Sequence, residues 1–149
     1  MEITGEFRIA ASRQHVWQGL NDPDILRKSI PGCETLERLS DTEFNAKIVS
    51  KIGPVKAKLA TRITLSDINP PESYTISGAG QGGVSGFAKG SAHVTLRTDG
   101  DATVLHYSGH IHVGGKLAQV GSRLLKGTTS KLANQFFGNF AARVTDSAA

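Results

Sequence analysis

The spacing of the apolar residues changes at Gly114-Gly115, and this change restricts the possible folds more than any other feature of the sequence. Before the two glycines, apolar and polar residues alternate as in a β-strand, at Leu105, Tyr107, Ile111 and Val113. After them, apolar residues recur at spacings of three and four, which predicts one amphipathic helix of roughly 28 residues. The predicted inner face of this helix comprises Leu117, Val120, Leu124, Thr128, Leu132, Phe136 and Phe140. The glycines act as the joint between strand and helix.

The residues before this joint predict a sheet with two short helices near its beginning. Residues 2–9 alternate as a first strand, Ser12 can cap one short helix, and Asp22-Pro23 begins a second. About six further alternating segments follow, separated by turn signals such as Gly53-Pro54 and residues 98–101. Strands grouped together and helices grouped apart indicate the α+β class. The 149 residues predict one domain, placed at residues 1–145, with a short disordered tail at 146–149.

Histidines cluster on the polar side of the last strand. His106, His110 and His112 have the parity opposite to the apolar residues and are therefore predicted to face away from the core. The turn at 98–101 places His93 opposite Ser108, on the same outer face. Because no Cys, Asp or Glu lies on this patch, it lacks the ligands of a closed metal site, and we predict no metal. A polar outer face that uses histidine is the favoured interpretation.

The glycine-rich residues 78–90 do not form a nucleotide-binding motif. Gly78, Gly80 and Gly83 match G-x-G-x-x-G, but the following residues alternate as another strand and do not open a helix. We interpret these glycines as bends, bulges or points where a ligand approaches the backbone. No nucleophile elbow, HExxH motif or pair of buried carboxylates is found in the sequence, and Cys33, as the single cysteine, cannot form an internal disulfide. The sequence therefore predicts no catalytic residue and no cofactor.

Basic residues are concentrated in two places. Lys and Arg number 17 against 13 Asp and Glu, a mild excess that permits an anionic partner. One concentration flanks the apolar turn at 52–55, and the other is the long helix, which has no acidic residue between Gly114 and Val144. A solvated helix face and a docking surface for an anionic membrane or an acidic protein are both compatible with this pattern. The candidate docking residues are Lys51, Ile52, Val55, Lys56, Lys116, Arg123 and Lys126. Nucleic acid is not expected, because aromatic residues do not interleave with these charges.

Several segments resemble the CoxG family of carbon monoxide dehydrogenase proteins, within the START-like SRPBCC superfamily. They are IPGCETLE (30–37), IGPVKAK (52–58), NPPESYTISGAGQG (69–82), GFAKGSAHVTL (86–96) and GGKLAQVGSRLL (114–125). The resemblance implies a helix-grip fold, in which a seven-stranded curved antiparallel sheet surrounds the long C-terminal helix and encloses an apolar cavity. It also implies a role beside molybdenum hydroxylases such as aerobic carbon monoxide dehydrogenase, either recruiting the enzyme to the membrane or carrying a quinone for it.

Given such a cavity, the inward parity of strands and helices predicts its lining. The predicted lining residues are Trp17, Ile30, Phe44, Ile48, Leu59, Ile63, Tyr74, Ile76, Val94, Tyr107, Ile111, Leu117, Val120, Leu124 and Leu132. A lining of this kind favours a hydrophobic ligand oriented by few polar groups, with Tyr74 and Tyr107 as the candidates for orientation. The alternative for each residue is ordinary core packing.

Three functional hypotheses follow from the sequence and the resemblance. The first is a non-catalytic protein that binds a quinone or a lipid and serves a partner oxidoreductase at the membrane. The second is an enzyme of the cyclase or hydrolase kind, which would require an inward titratable residue. The third is a protein adaptor with a filled core. The single cysteine, the absence of a signal peptide and the absence of a hydrophobic C-terminal tail predict a cytoplasmic protein, peripheral at the inner face of the cytoplasmic membrane.

Overall fold

The fold is built on one antiparallel sheet, as seen in a computed structural model that describes the backbone of residues 1–148 and the side chains of 1–147. The strands are β1 (Glu2–Ile9), β2 (Cys33–Arg38), β3 (Glu43–Ile52), β4 (Val55–Asn69), β5 (Ser73–Gln81), β6 (Phe87–Asp99) and β7 (Ala102–Gly114). The α-helices are α1 (Arg13–Leu20), α2 (Pro23–Ser29) and α3 (Ser122–Ala148). Short 3-10 helices occupy Gly83–Ser85 and Gly115–Val120. The predicted α+β class is confirmed.

The seven strands are arranged in the order β1-β7-β6-β5-β4-β3-β2. Tight turns make β2 to β7 neighbours in chain order, and β1 is added beside β7 at the far edge. Helices α1 and α2 span the long connection from β1 to β2, between the two edges of the sheet. Helix α3 lies against the curved inner face and packs on β1, α1 and α2. Among the described helices, none is long and apolar enough to cross a membrane.

The starts of the two short helices follow the predicted capping chemistry. The Ser12 hydroxyl accepts a hydrogen bond from the His15 backbone N–H at 3.1 Å. The Asp22 carboxylate accepts from the backbone N–H of Asp24 at 2.9 Å, and Pro23 occupies the first turn of α2. Both side chains bind backbone donors that have no partner within the helix, which explains why local sequence located these helix starts correctly.

The prediction for the long helix was right in length and wrong in start and phase. Residues 115–120 form a 3-10 helix, Gly121 adopts a φ of 101°, and α3 begins at Ser122. The break at Gly121 rotates the following residues, so that Leu125 is buried and Leu124 is 42% exposed. The buried residues of α3 are Leu125, Thr129, Phe137, Phe140 and Val144. The regular spacing from Leu117 to Leu124 therefore imitated a continuous helix across a break.

The predicted disordered tail is wrong for residues 146–148, because α3 continues to Ala148. The Ser147 hydroxyl lies 2.8 Å from Nε2 of His15 on α1, which ties the last turn of α3 to the body of the protein. Ala149 lies outside the described residues.

Buried side chains form two separate clusters. The larger cluster lies where α1, α2 and the C-terminal half of α3 meet the sheet, and it contains Val16, Leu20, Leu26, Phe44, Tyr74, Val94, Leu105, Tyr107, Phe140 and Val144. The smaller cluster lies near the β3–β4 turn and contains Ile52, Ala57, Leu59, Leu117 and Leu125. Between them, inward-facing residues such as Ile48, Ile76 and Ile111 are only partly buried. The interior is therefore packed at both ends and open in the middle.

Candidate ligand-binding cavity

A cavity of about 300 Å³ lies between the inner face of the sheet and the middle of α3. The sheet contributes residues from β1 and from β3 to β7, and the end of α2 contributes Ile30 and Pro31. Helix α3 contributes Leu132, Ala133, Phe136 and Phe137. The walls are therefore mainly hydrocarbon, as is typical of small-molecule binding sites in proteins.

Glycines form the floor of this cavity. The strand register places Ile63, Gly78, Gly90 and Ile111 side by side on β4, β5, β6 and β7. The two isoleucines flank a pair of residues that have no side chain, so the backbone itself is the surface that faces α3. A Cβ added to Gly78 would meet no heavy atom nearer than Thr61 Cγ2 at 4.0 Å. The missing side chain at Gly78 thus corresponds to open space and not to a close backbone contact.

The polar groups that face the cavity are neutral. The inward positions on β3 and β4 include Ser50 and Thr61, and the Thr61 hydroxyl donates to the Leu59 carbonyl at 3.2 Å. No Asp, Glu, His or Cys lines the cavity in the described part of the chain. Lys89 contributes to the wall, but its side chain is on the outward parity of β6, with Nζ 6.0 Å from the Phe87 ring centroid. The cavity can therefore accommodate an uncharged molecule that has few polar atoms.

Fewer than half of the predicted lining residues line this cavity. Those that do are Ile30, Ile48, Leu59, Ile63, Ile76, Ile111 and Leu132. Their role in ligand binding stays a prediction. The placement of Trp17, Phe44, Tyr74, Val94, Tyr107, Leu117, Val120 and Leu124 in the lining is wrong for the structure.

Five of these misplaced residues belong to the larger core cluster or pack on it. Trp17 on α1 packs on Tyr74 at a ring-centroid distance of 5.6 Å, and Phe44 and Val94 are fully buried. The Tyr107 ring stacks on Phe137 at 4.1 Å and so lies behind the cavity wall. Burial raises the pKa of both Tyr74 and Tyr107, which keeps the phenols neutral at physiological pH. Inward parity placed these residues on the correct face, but protein atoms already cover them.

The other three misplaced residues precede α3 or lie in its first turn. Leu117 is buried in the smaller cluster, and Val120 packs against that cluster from the end of the 3-10 helix. Leu124 points outward, next to Gly53 in the β3–β4 turn. Their displacement follows from the break at Gly121, which removes them from the helix face that reaches the cavity.

Sequence reasoning missed the small residues of the lining. Gly78, Gly80, Gly90, Ala88 and Ala92 all have inward parity on β5 and β6. The interpretation of Gly78 and Gly80 as points of ligand approach was the available signal. Counting only large apolar side chains missed it, because a cavity forms where inward side chains are absent.

The candidate docking residues lie at the end of the protein that carries the β3–β4 turn. The cationic members of the set, Lys51, Lys56, Lys116, Arg123 and Lys126, are all exposed. Ile52, however, is 6% exposed and belongs to the smaller cluster, so its assignment as a free docking residue is wrong; Val55 is half-buried. The exposed apolar side chains at this end are Val84, in the β5–β6 connection, and Leu124.

The predicted pairing of the last hairpin is confirmed. His93 lies opposite Ser108, and His106, His110 and His112 share the outward parity of β7. Within the described residues, no group of three His, Cys, Asp or Glu side chains could hold a metal ion.

A seven-stranded sheet curved around a long C-terminal helix, with an apolar cavity between them, defines a helix-grip protein of the START-like SRPBCC superfamily. A sequence model of the G subunit of carbon monoxide dehydrogenase (CoxG) matches residues 5–145. The chain therefore belongs to the CoxG family.

Solved structures agree with this assignment. A conserved protein from Geobacillus kaustophilus is 31% identical, with a TM-score of 0.89, and the match covers 100% of this chain and 98% of that one. The protein Ara h 8.0201 matches at 13% identity and a TM-score of 0.65, over 98% of both chains. The di-domain ARO/CYC BexL, from the BE-7585A biosynthetic pathway, matches at 10% identity and a TM-score of 0.65, over 99% of this chain and 50% of that one. The last two similarities show the fold alone. No protein of curated function matches the sequence significantly.

Proposed function

We propose that this protein is a non-catalytic carrier that binds an uncharged hydrophobic molecule, a quinone or a lipid, in its cavity. The single observation that supports this function most directly is the glycine floor between Ile63 and Ile111, which leaves room for a molecule against an apolar wall. Removing apolar surface from water provides about 25 cal/mol per Å² for such binding. The absence of acidic, histidine and cysteine side chains from the described lining argues against acid–base or nucleophilic catalysis.

The size of the cavity bears on which part of the ligand it holds. At about 300 Å³ it is at the lower end of the range of roughly 300–1,000 Å³ for small-molecule sites. We therefore expect a compact ring system, or one end of a longer molecule, to lie over Gly78. The hydroxyls of Ser50 and Thr61 are the groups available to a carbonyl or hydroxyl oxygen of the ligand.

The family supplies the partner in this proposal. Membership in the CoxG family suggests that the carrier serves a molybdenum hydroxylase of the carbon monoxide dehydrogenase type. The chemistry would then belong to the partner, and this chain would supply the ligand site and the contact with the membrane. Native mass spectrometry of the purified protein, followed by organic extraction, would identify a ligand that remains bound. Detection of a charged hydrophilic molecule in the cavity would contradict the proposal.

Replacing Gly78 with valine is expected to weaken binding of a neutral hydrophobic ligand by about tenfold or more, equal to 1.4 kcal/mol. The new side chain would enter the cavity, and the site has both the space and an ordinary strand conformation. The measurement is displacement of the neutral dye N-phenyl-1-naphthylamine by menadione, followed by fluorescence.

Ala79→Val is the matched control for this variant. Ala79 is the next residue of β5, is exposed, and faces the opposite side of the sheet. It adds a β-branched side chain to the same strand without entering the cavity, so menadione binding should be unchanged. Equal binding by wild type and Gly78→Val, with the fold intact by circular dichroism, would place the ligand elsewhere.

The membrane contact proposed for this carrier is the end that carries the β3–β4 turn. Val84 is 83% exposed and Leu124 is 42% exposed there, surrounded by the exposed cationic docking residues named above. The 3-10 helix of Val84 is held in place by the Ser85 hydroxyl, which donates to the Lys56 carbonyl at 3.4 Å. Apolar side chains within a ring of positive charge match an anionic membrane surface, where both burial and charge attraction contribute.

The double variant Val84→Asp/Leu124→Asp is expected to reduce binding to phosphatidylglycerol-containing vesicles by about tenfold or more. Each CH₂ that inserts into a membrane contributes about 0.8 kcal/mol, and the new carboxylates would also be repelled by the anionic surface. Sedimentation with vesicles measures the effect. Val84 and Leu124 are exposed, so these changes should leave the stability of the fold nearly unaffected.

The chain offers a control at the other end of the sheet. Leu39 and Ile68 are 44% and 41% exposed and lie near the β2–β3 and β4–β5 connections. Leu39→Asp/Ile68→Asp makes the same chemical change away from the proposed contact and should leave vesicle binding within about twofold, apart from the small effect of net charge. A similar loss in both double variants would show that net charge alone governs the association.

A further inference from the structure

The outer face of the sheet contains a depression of about 340 Å³, directly behind the floor of the cavity. Its long side chains are Arg62, Lys89, His110 and His112, which come from β4, β6 and β7. The backbone of Gly78 and Gly90 borders both the cavity and the depression, so the two spaces lie on opposite faces of the same strands. Nothing in the proposed carrier function uses this outer site.

The strand register explains why a depression forms here. One row across the sheet reads Thr64, Ser77, Ser91 and His110, and the adjacent row reads Arg62, Ala79, Lys89 and His112. Neighbours within a row are roughly 5 Å apart and the rows are roughly 7 Å apart. Short side chains occupy the centre and long ones surround it, so an ion in the centre would be within reach of hydroxyls and cations together.

Two of the cationic groups have defined neighbours. The Arg62 guanidinium donates to Glu43 Oε2 at 2.6 Å and to Asn45 Oδ1 at 3.0 Å, and both partners lie on β3. The Phe87 ring packs across Gly114 and lies 6.3 Å from the His112 ring and 6.0 Å from Lys89 Nζ. These contacts restrict the positions of the cations around the depression before any ligand binds.

The charge balance favours an anion. No acidic residue lines the depression in the described part of the chain. The nearest carboxylates in the register are Glu43, already paired with Arg62, and Glu2, opposite His110 on β1. Lys89 lies directly opposite His112, and two cations in such positions repel each other. A bound anion would relieve this repulsion, and the hydroxyls of Ser77 and Ser91 could donate hydrogen bonds to it.

We propose that this depression is a binding site for a phosphate-type oxyanion, which is held by Arg62, Lys89 and His112 with the hydroxyls of Ser77 and Ser91. The same chemistry would recognise a free phosphate ester or the monoester headgroup of phosphatidic acid. This assigns a role to the outer-face histidines that does not require a metal. It is independent of what the cavity holds.

Titration of the full chain with inorganic phosphate, followed by amide NMR, tests the site. We expect saturable shifts centred on the amides of Gly78, Ala79 and Gly90. Lys89→Gln should weaken binding by about fivefold or more, because it removes one charge-assisted contact. Lys58→Gln is the matched control, since Lys58 is exposed and outward on β4 but lies outside the depression, and it should change binding by less than about twofold.

The two valine variants separate this site from the cavity. Ala79→Val should weaken phosphate binding and spare menadione binding, whereas Gly78→Val should do the reverse. Equal losses in Lys89→Gln and Lys58→Gln, or shifts that do not saturate, would overturn the proposal in favour of diffuse charge attraction. Vesicles that contain phosphatidic acid distinguish the sources: competition by free phosphate would identify the headgroup as a ligand of the depression. If these vesicles bind without such competition while free phosphate saturates the site, a free phosphate ester is the ligand.

Discussion

Replacing Phe140 with alanine is expected to lower the free energy of unfolding by about 3–5 kcal/mol. Phe140 is fully buried in the C-terminal half of α3, where its ring lies against Gly19 of α1. Removing the ring leaves a void among fixed neighbours, so the protein loses both transfer free energy and packing contacts. Urea denaturation measures the effect as a lower midpoint at an unchanged m-value.

Phe136→Ala is the control for Phe140→Ala, and it also tests the interior of the protein. Phe136 has the same residue type and lies one turn away on α3, but it is half-buried and faces the cavity. Its ring has fewer protein neighbours to lose, so we expect a cost of about 1–2 kcal/mol. Equal losses at the two positions would mean that protein atoms fill the space beside Phe136, in contradiction to the cavity.

Replacing Gly32 with alanine is expected to cost about 3 kcal/mol or more, since two unfavourable effects add at this residue. Gly32 joins α2 to β2 with a φ of 77°, a region that costs other residues about 1–2 kcal/mol. A Cβ there would also lie 2.0 Å from the Val49 carbonyl oxygen, which forces the backbone of β3 or the joint to move. The hydrogen bond from the Val49 N–H to the Gly32 carbonyl, at 2.9 Å, would be strained by this movement.

Gly83→Ala separates the two effects. Gly83 has a φ of 58°, yet no heavy atom lies within 4 Å of its added Cβ. It therefore measures the conformational cost alone, expected at about 1 kcal/mol in the same urea experiment. If Gly32→Ala and Gly83→Ala have equal costs, the contact with Val49 is not a constraint on the fold.

Local sequence was sufficient where a few adjacent residues decide the structure. The Ser12 and Asp22 caps were predicted because each side chain binds backbone donors within its own helix turn. The pairing of His93 with Ser108 was predicted because a tight turn fixes the register of both its strands. The resemblance to the CoxG family, carried by segments along most of the chain, was confirmed by the match to residues 5–145.

The phase of α3 could not be obtained in the same way. Leu117, Val120 and Leu124 continue the helical spacing, and nothing in that spacing marks Gly121 as a break. Gly121 takes its positive φ because residues 115–120 pack against the smaller cluster before the chain turns into the helix. The prediction of Leu124 in place of Leu125 follows from this single residue.

The sequence alone determined the elements, the inward face of each strand and the α+β class, because these depend on spacing, caps and turns within short segments. The tertiary structure decided which inward residues are covered by other side chains and which border open space. Phe44 and Ile48 have the same parity on β3, yet one is buried in the core and the other lines the cavity. The difference depends on how closely α2 and α3 approach the sheet at each level, and that distance is set by side chains far apart in the chain.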